Sequence, residues 1–220
     1  MFIILLGAPG SGKGTAGEVL SEDLKLTSIS TGQIFRDNMK NKTELGKKVE
    51  EYMERGDLVP DEITIQMLAD RLEEADVKNG AILDGFPRNL NQAIKLDEIL
   101  KKKNAKVDIA LNLEVPVDEI ITRLVNRQNC IKCNEIYNTV LSPSKVEGIC
   151  DKCGGQLYQR EDQKLEIVQN RLNVYNQTAE EILKYYESTG VLCTKKAGLK
   201  AGKTSYDIAK EIEKMLNRGK

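Results

Sequence analysis

Residues 2–6, Phe2-Ile3-Ile4-Leu5-Leu6, form an unbroken apolar run that stops at Gly7. Continuity without alternation is what a strand covered on both faces requires, so this run predicts a buried parallel strand. A helix is predicted next, from Lys13 to Asp23. Short apolar runs recur at Ala81-Ile82-Leu83, at Val107–Leu113 and at Val191–Thr194, with helical patterns between them. Strands alternating with helices predict a parallel sheet with helices on both faces. The clearest helical signal runs from about Lys164 to Glu187. Leu165, Val168, Leu172, Tyr175, Ala179, Ile182 and Tyr186 recur there at spacings of three and four, which makes one apolar stripe for core packing. Thr189-Gly190 supplies its stop. A last helix is predicted from Ser205 to Leu216.

Two segments break this rhythm. Residues 31–60 read as mostly helical and polar, with no strand, and residues 128–160 carry paired cysteines among Pro143, Gly148, Gly154 and Gly155. Both read as insertions on one core, which 220 residues can accommodate. Lysine plus arginine number 33 and aspartate plus glutamate 34. That balance argues against a general nucleic-acid binder, which is usually basic. The five apolar residues at the N-terminus are too few to span a bilayer and lack the flanks of a secretion signal, so a cytoplasmic location is expected. The chain has no histidine, which excludes histidine as a base or a metal ligand.

Gly7-Ala8-Pro9-Gly10-Ser11-Gly12-Lys13-Gly14-Thr15 lies between the first strand and the first helix. A phosphate needs backbone N–H groups turned toward one point, and glycines permit that turn. The helix N-terminus adds a partial positive charge and Lys13 a full one. With lysine and strand-to-helix context both present, phosphate binding is favoured over a plain turn.

Cys130-x-x-Cys133 and Cys150-x-x-Cys153 are separated by 16 residues. Two such pairs signal a structural zinc site with four thiolates and no open position, and a reducing cytoplasm disfavours disulfides. Cys193 lies in an apolar run and is expected in the core.

The form Gly7-x-Pro9-Gly10-x-Gly12-Lys13-Gly14-Thr15 resembles the phosphate loop of the adenylate kinases. The matches continue in that family's order: Ser30-Thr31-Gly32-Gln33-Ile34-Phe35-Arg36, Gly56-Asp57-Leu58-Val59-Pro60-Asp61, Leu83-Asp84-Gly85-Phe86-Pro87-Arg88, Gln92, Arg123, Arg127, Arg160-Glu161-Asp162 and Arg171. The cysteine segment is similar to the long, zinc-containing lid of many bacterial members. The resemblance spans essentially the whole chain. It implies an α/β P-loop nucleoside monophosphate kinase fold, with a core of residues 1–30, 61–126 and 164–220, an AMP-binding insertion at 31–60 and a zinc-binding lid at 127–163.

It also implies ATP, AMP and ADP as substrates and products, magnesium with ATP, and a monomer that binds neither nucleic acid nor membrane. Gly10, Ser11, Gly12, Lys13, Gly14 and Thr15 would hold the ATP phosphates together with Arg123 and Arg127. Thr31, Arg36, Met53, Asp57, Val59, Gly85, Arg88 and Gln92 would form the AMP site, with Arg160 and Arg171. Lys13, Arg88, Arg123, Arg160 and Arg171 would be catalytic, and Asp84 would hold magnesium through water. The chemistry agrees. Two nucleotides bring mutually repelling phosphates together, and phosphoryl transfer asks the protein for alignment and fixed positive charge, which arginine's planar fork supplies.

Four positions depart from the family's usual residues: Ala16 for Gln, Gln33 for Asp, Gln128 for a second Arg, and Gln163 for the second Asp of Arg-x-Asp-Asp. Three other readings stay open at this point. One is a kinase for another nucleoside monophosphate, against which Thr31 and Gln92 resemble adenine-selecting positions. Another is a catalytically silent relative, against which the retained Lys13 and arginines weigh. The third is a zinc ribbon for nucleic acid, which the mixed charge around the cysteines does not favour.

Overall fold

The computed structural model describes residues 1–218; the last two residues of the expected core lie outside the described residues. Strand β1 (Phe2–Leu6) leads through the glycine loop into helix α1 (Lys13–Leu24), and β2 (Thr27–Ser30) runs directly into α2 (Thr31–Lys40). Then come α3 (Glu44–Arg55), α4 (Asp61–Arg71), β3 (Ala81–Asp84), α5 (Leu90–Lys102), β4 (Val107–Glu114) and α6 (Val117–Val125). Three short strands come next, β5 (Arg127–Cys130), β6 (Ile136–Asn138) and β7 (Leu157–Tyr158), before α7 (Leu165–Ser188), β8 (Leu192–Lys196) and α8 (Ser205–Arg218).

The main sheet is parallel, in the order β2-β3-β1-β4-β8. Alternate residues of a strand face opposite sides, and β1 uses both. Phe2, Ile4 and Leu6 pack in one buried cluster with Leu68, Leu96 and Tyr186. Ile3 and Leu5 pack in another with Leu20 of α1 and Ile208 and Ile212 of α8. Helices therefore cover both faces of a parallel sheet, as the resemblance implies. Among the described residues no helix is long and apolar enough to cross a membrane.

Strand register brings the loops together. Leu5 of β1 and Ser30 of β2 both pair with Asp84 of β3. The glycine loop, Asp84 and the start of α2 thus emerge side by side at the carboxyl ends of the strands, where ligands bind in open α/β sheets.

Some details differ from the sequence expectation. Strand β2 is absent from the apolar pattern, because only Ile29 of its four residues is apolar and buried. The long helix is shifted by one residue at each end. Its stripe buries Val168, Leu172, Ile182 and Tyr186, but Leu165, in the first turn, projects beyond the core and is 50% exposed. Cys193 is half-buried, against the second cluster rather than inside it.

The two irregular segments are built differently. Residues 31–60 carry α2 and α3, whose apolar faces share a cluster of Phe35, Val49, Val59 and Met67. The three short strands make a separate antiparallel sheet, β6-β5-β7. Its buried cluster is only Cys130, Cys150 and Leu157, with Cys133 and Tyr137 against it. Ile131, Val140, Val146 and Ile149 of this segment remain exposed. So little burial cannot hold a fold of this size without a staple.

Candidate active site

A cleft of about 1180 Å³ opens at the carboxyl ends of the strands. That exceeds the usual pocket for one small ligand. Gly10, Gly12, Lys13, Gly14 and Thr15 form part of its wall, with Asp84, Gly85, Arg36, Met53, Arg88, Arg123, Arg127, Arg160 and Arg171 around them. A smaller adjoining cavity is lined by Thr31, Met53, Asp57, Val59, Gly85, Arg88 and Gln92. The proposed AMP residues are therefore divided between the two, with Met53, Gly85 and Arg88 common to both. Ser11 lines neither; it is buried behind the loop with its hydroxyl unpartnered.

The loop is tightly backed. Gly12 has φ of +94°, a conformation that favours glycine, and a Cβ there would strike the Ser205 hydroxyl of α8. Ser205 Oγ in turn donates to the Ser11 carbonyl over 3.2 Å. Lys13 Nζ folds back onto its own loop, donating to the Gly7 and Ala8 carbonyls at 2.6 and 2.8 Å.

Burial, more than Coulombic repulsion from Arg88, Arg171 and Arg127, brings the Lys13 ammonium down to about 8, although Asp84 opposes the shift. The value lies below that of an unfolded lysine, so between about pH 8 and the ordinary lysine range near 10.4 the unfolded chain binds more protons. Stability of the ligand-free protein is therefore expected to rise with pH through that window. Urea unfolding across the window, wild type against Lys13→Met, checks this; the rise should be smaller in the variant. An equal rise in both would assign it to other groups.

The arginines sit in a shared, poorly solvated environment. Burial and repulsion from Arg160 bring Arg127 down to about 9 and Arg36 to about 10. Burial does the same to Arg171, also to about 10, despite the attraction of Asp162. Arg88 shifts down by burial against the pull of Asp84 and Asp162. These groups stay cationic at neutral pH, so the cleft holds a dense positive charge that water solvates poorly. Arg127 Nε is buried with no partner at all.

One carboxylate answers part of that demand. Asp162 receives Arg160 through both Nε (2.8 Å) and Nη2 (2.6 Å), and Arg171 Nη1 at 2.8 Å. Burial alone would raise its pKa, but the Arg160 hydrogen bonds and the charges of Arg171, Arg160 and Arg127 hold it far below the usual carboxylate range. The sequence assigns Asp162 no role, because nothing local shows that Arg171 folds back to it. Glu119 escapes sequence reading in the same way. It lies 3.5 Å from Arg123 Nη2 and accepts the backbone N–H groups of Leu199 and Lys200, tying Arg123 to the loop ahead of α8.

On the other side, Thr31 Oγ1 and Arg88 Nε both donate to the Gly85 carbonyl, at 2.9 and 2.8 Å. Gly85 has φ of +81°, and a Cβ would crowd Thr31 Oγ1 and the Arg88 guanidinium. Three of the four departures from the family's usual residues have a visible place. Gln33 accepts Arg36 Nη2 at 2.9 Å and passes a hydrogen bond to Asp37, so the negative charge sits one residue pair further out. Gln163 is fully buried. Its carbonyl accepts the Arg160 N–H and its amide donates to Asn129, joining the two ends of the short-strand segment. Ala16 is fully buried in α1, in the cluster with Ile3 and Leu5. Nothing in the structure explains Gln128.

The sulfur atoms of Cys130, Cys133, Cys150 and Cys153 converge within 4.8 Å of one another. Neighbouring pairs are 3.3 to 3.6 Å apart, close to the ~3.8 Å edge of a tetrahedron with 2.3 Å metal–sulfur bonds. Burial opposes a thiolate at Cys150, but the Tyr137 hydroxyl and backbone N–H groups outweigh it and lower its pKa. The donor set fits a metal ion such as zinc.

The comparisons with known proteins agree with this geometry. The family model described as adenylate kinase matches residues 5–191. The chain is similar to the adenylate kinase of Acetivibrio thermocellus, with 52% identity over 88% of this chain and 89% of that protein. It is similar to that of Caldicellulosiruptor bescii, with 46% identity over 96% and 99%. The adenylate kinase of Archaeoglobus fulgidus is 44% identical over 99% of both chains. With the family model matching residues 5–191 and relatives 44–52% identical over 88–99% of this chain, the chain belongs to the adenylate kinase family.

Proposed function

We propose that the chain catalyses ATP + AMP = 2 ADP by holding both nucleotides in the large cleft and its adjoining cavity. The reaction is that of the family, and the chain is an enzyme of this kind. The observation that supports the residue roles most directly is the group of buried arginines, held at depressed pKa and incompletely paired, opposite the glycine loop. Such a group gains most from phosphate oxygens that carry developing charge.

In this reading Gly10 to Thr15 hold the ATP phosphates, with Arg123 and Arg127. Thr31, Arg36, Met53, Asp57, Val59, Gly85, Arg88 and Gln92 receive AMP. Lys13, Arg88, Arg123, Arg160 and Arg171 stabilise the transferring phosphoryl group, which requires little covalent chemistry from the protein. Asp162 would release Arg160 and Arg171 to the substrates. Asp84 would hold magnesium through water; the ion would neutralise phosphate charge. The four cysteines would hold zinc as a structural ion, because four thiolates leave no open coordination position.

Residues 31–60 and 127–163 would close over the substrates and exclude water, so that ATP is transferred and not hydrolysed. The resemblance implies a monomer, and a reducing cytoplasm suits four cysteines kept available to a metal ion.

A coupled assay of ADP formed from ATP and AMP tests the reaction. Within it, Arg36→Ala is expected to raise the KM for AMP by about 10-fold or more, the effect of one charge-assisted contact, and to leave the KM for ATP near its original value. An unchanged AMP constant would remove Arg36 from the AMP site.

A further inference from the structure

Asp61 opens α4, at the point where the helical insertion returns to the core. Its carboxylate faces side-chain amides: Oδ1 accepts Gln92 Nε2 at 2.7 Å and Asn89 Nδ2 at 2.8 Å, and Oδ2 accepts Asn91 Nδ2 at 2.6 Å. Among the described residues it forms no ion pair. Burial would raise its pKa, but the hydrogen bonds of Asn91, Asn89 and Gln92 keep the carboxyl below the usual range and therefore ionised. It can only accept.

Gln92 is 1% exposed and lines the small cavity. Its Nε2 donates to Asp61 and its Oε1 accepts the Arg88 backbone N–H at 2.8 Å. The two ends of a carboxamide are nearly the same size, so an amide is ordinarily free to turn over. Here each neighbour has one polarity. An ionised carboxylate cannot donate and a backbone N–H cannot accept. Turning the amide would set oxygen against carboxylate and N–H against N–H, at a side chain that is itself buried.

One N–H and one acceptor lone pair of Gln92 remain, in a fixed order. Purines read that order. A 6-amino purine offers a donor at its exocyclic nitrogen and an acceptor at N1; a 6-oxo purine offers the reverse. With the nucleotide's phosphate held by arginine, the base cannot turn over to compensate.

We propose that Asp61 is a specificity-determining positioning residue, which locks the Gln92 carboxamide so that the pocket accepts a 6-amino purine and rejects a 6-oxo purine nucleoside monophosphate. The proposal rests on the reading of the small cavity as the base pocket of the acceptor nucleotide. Asp61 itself does not line that cavity.

The test compares kcat/KM for AMP and for IMP, at saturating ATP, in wild type, Asp61→Asn and Asn91→Ala. An asparagine at 61 can present either polarity, so Gln92 gains freedom to turn. The AMP-to-IMP ratio is expected to fall about 10-fold or more in Asp61→Asn, the discrimination carried by one buried hydrogen bond, with an unchanged KM for ATP. Asn91→Ala removes an amide from the same carboxylate without freeing Gln92, and its ratio should match wild type. A folded Asp61→Asn with the wild-type ratio overturns the proposal, as does an equal fall in Asn91→Ala, which would mean a general loosening. Should Asp61→Asn fail to fold, side-chain amide NMR of glutamine-labelled wild type decides. One Gln92 Nε2 proton should be hydrogen-bonded before ligand is added, and AMP should shift chiefly the other. Two exchange-averaged protons in the ligand-free protein would overturn the lock. Failure of wild type to form ADP from AMP would instead overturn the base-pocket reading beneath it.

Discussion

Replacing Lys13 with alanine is expected to lower kcat by roughly 10²-fold or more, the scale on which a preorganised charge acts at developing negative charge. Thermal stability should hardly fall, and in the ligand-free protein it should rise slightly, because Lys13 is a cation held against its solvation preference. The two readouts move in opposite directions, which separates a catalytic charge from a packing residue. The side chain now bonds to the Gly7 and Ala8 carbonyls, and a phosphate on the loop would offer stronger acceptors to the same ammonium. A variant with near-normal turnover would show that the loop does not carry the transferred phosphate. Stopped turnover with a collapsed melting curve would make the lysine structural.

The second large effect concerns the cysteines. Cys150→Ser, or removal of metal by a chelator, is expected to unfold the segment around β5, β6 and β7, since only Cys130, Cys150 and Leu157 form its buried cluster and metal binding would be coupled to its folding. A loss of about 3–4 kcal/mol, the order found when a small fold loses a staple, corresponds to a fall of about 10 °C in Tm for a chain of this length. Turnover should remain measurable in the cold, because Lys13 and the arginines are not among the ligands. Metal analysis of wild type should return about one zinc per chain. Full stability in a metal-free protein would sink the assignment, and a stable but inactive Cys150→Ser would point to a catalytic ion.

How much of this can be read from sequence depends on whether the signal is local. The glycine loop is legible because strand, turn and lysine are contiguous, and β1 shows its burial on both faces as an unbroken apolar run. The cysteine cluster is legible because two short spacings suffice to define it. Strand β2 is not, since Thr27-Ser28-Ile29-Ser30 buries one apolar side chain and borrows its regularity from pairing with β3. Leu165 has the right spacing for the stripe but lies before the helix meets the core. The arginines show the deepest limit. A single arginine carries no positional information, so Arg123, Arg127, Arg160 and Arg171 can be selected only by resemblance. Asp162 and Asp61 act through partners up to 31 residues away and acquire meaning only when the chain is folded.

The short-strand sheet has a further consequence for how such a chain can change its length. Asn129 pairs with Tyr158 and Cys130 with Leu157, so the chain leaves and rejoins the rest of the molecule between adjacent antiparallel strands. Arg127 and Arg160 lie outside that junction, and the clip from Gln163 to Asn129 fastens its base. Everything between Asn129 and Tyr158 is thus a removable cassette, exchangeable in principle for a tight hairpin turn of two residues. A change of length at this point would leave the strands that carry the glycine loop, and the arginines around the cleft, in their register.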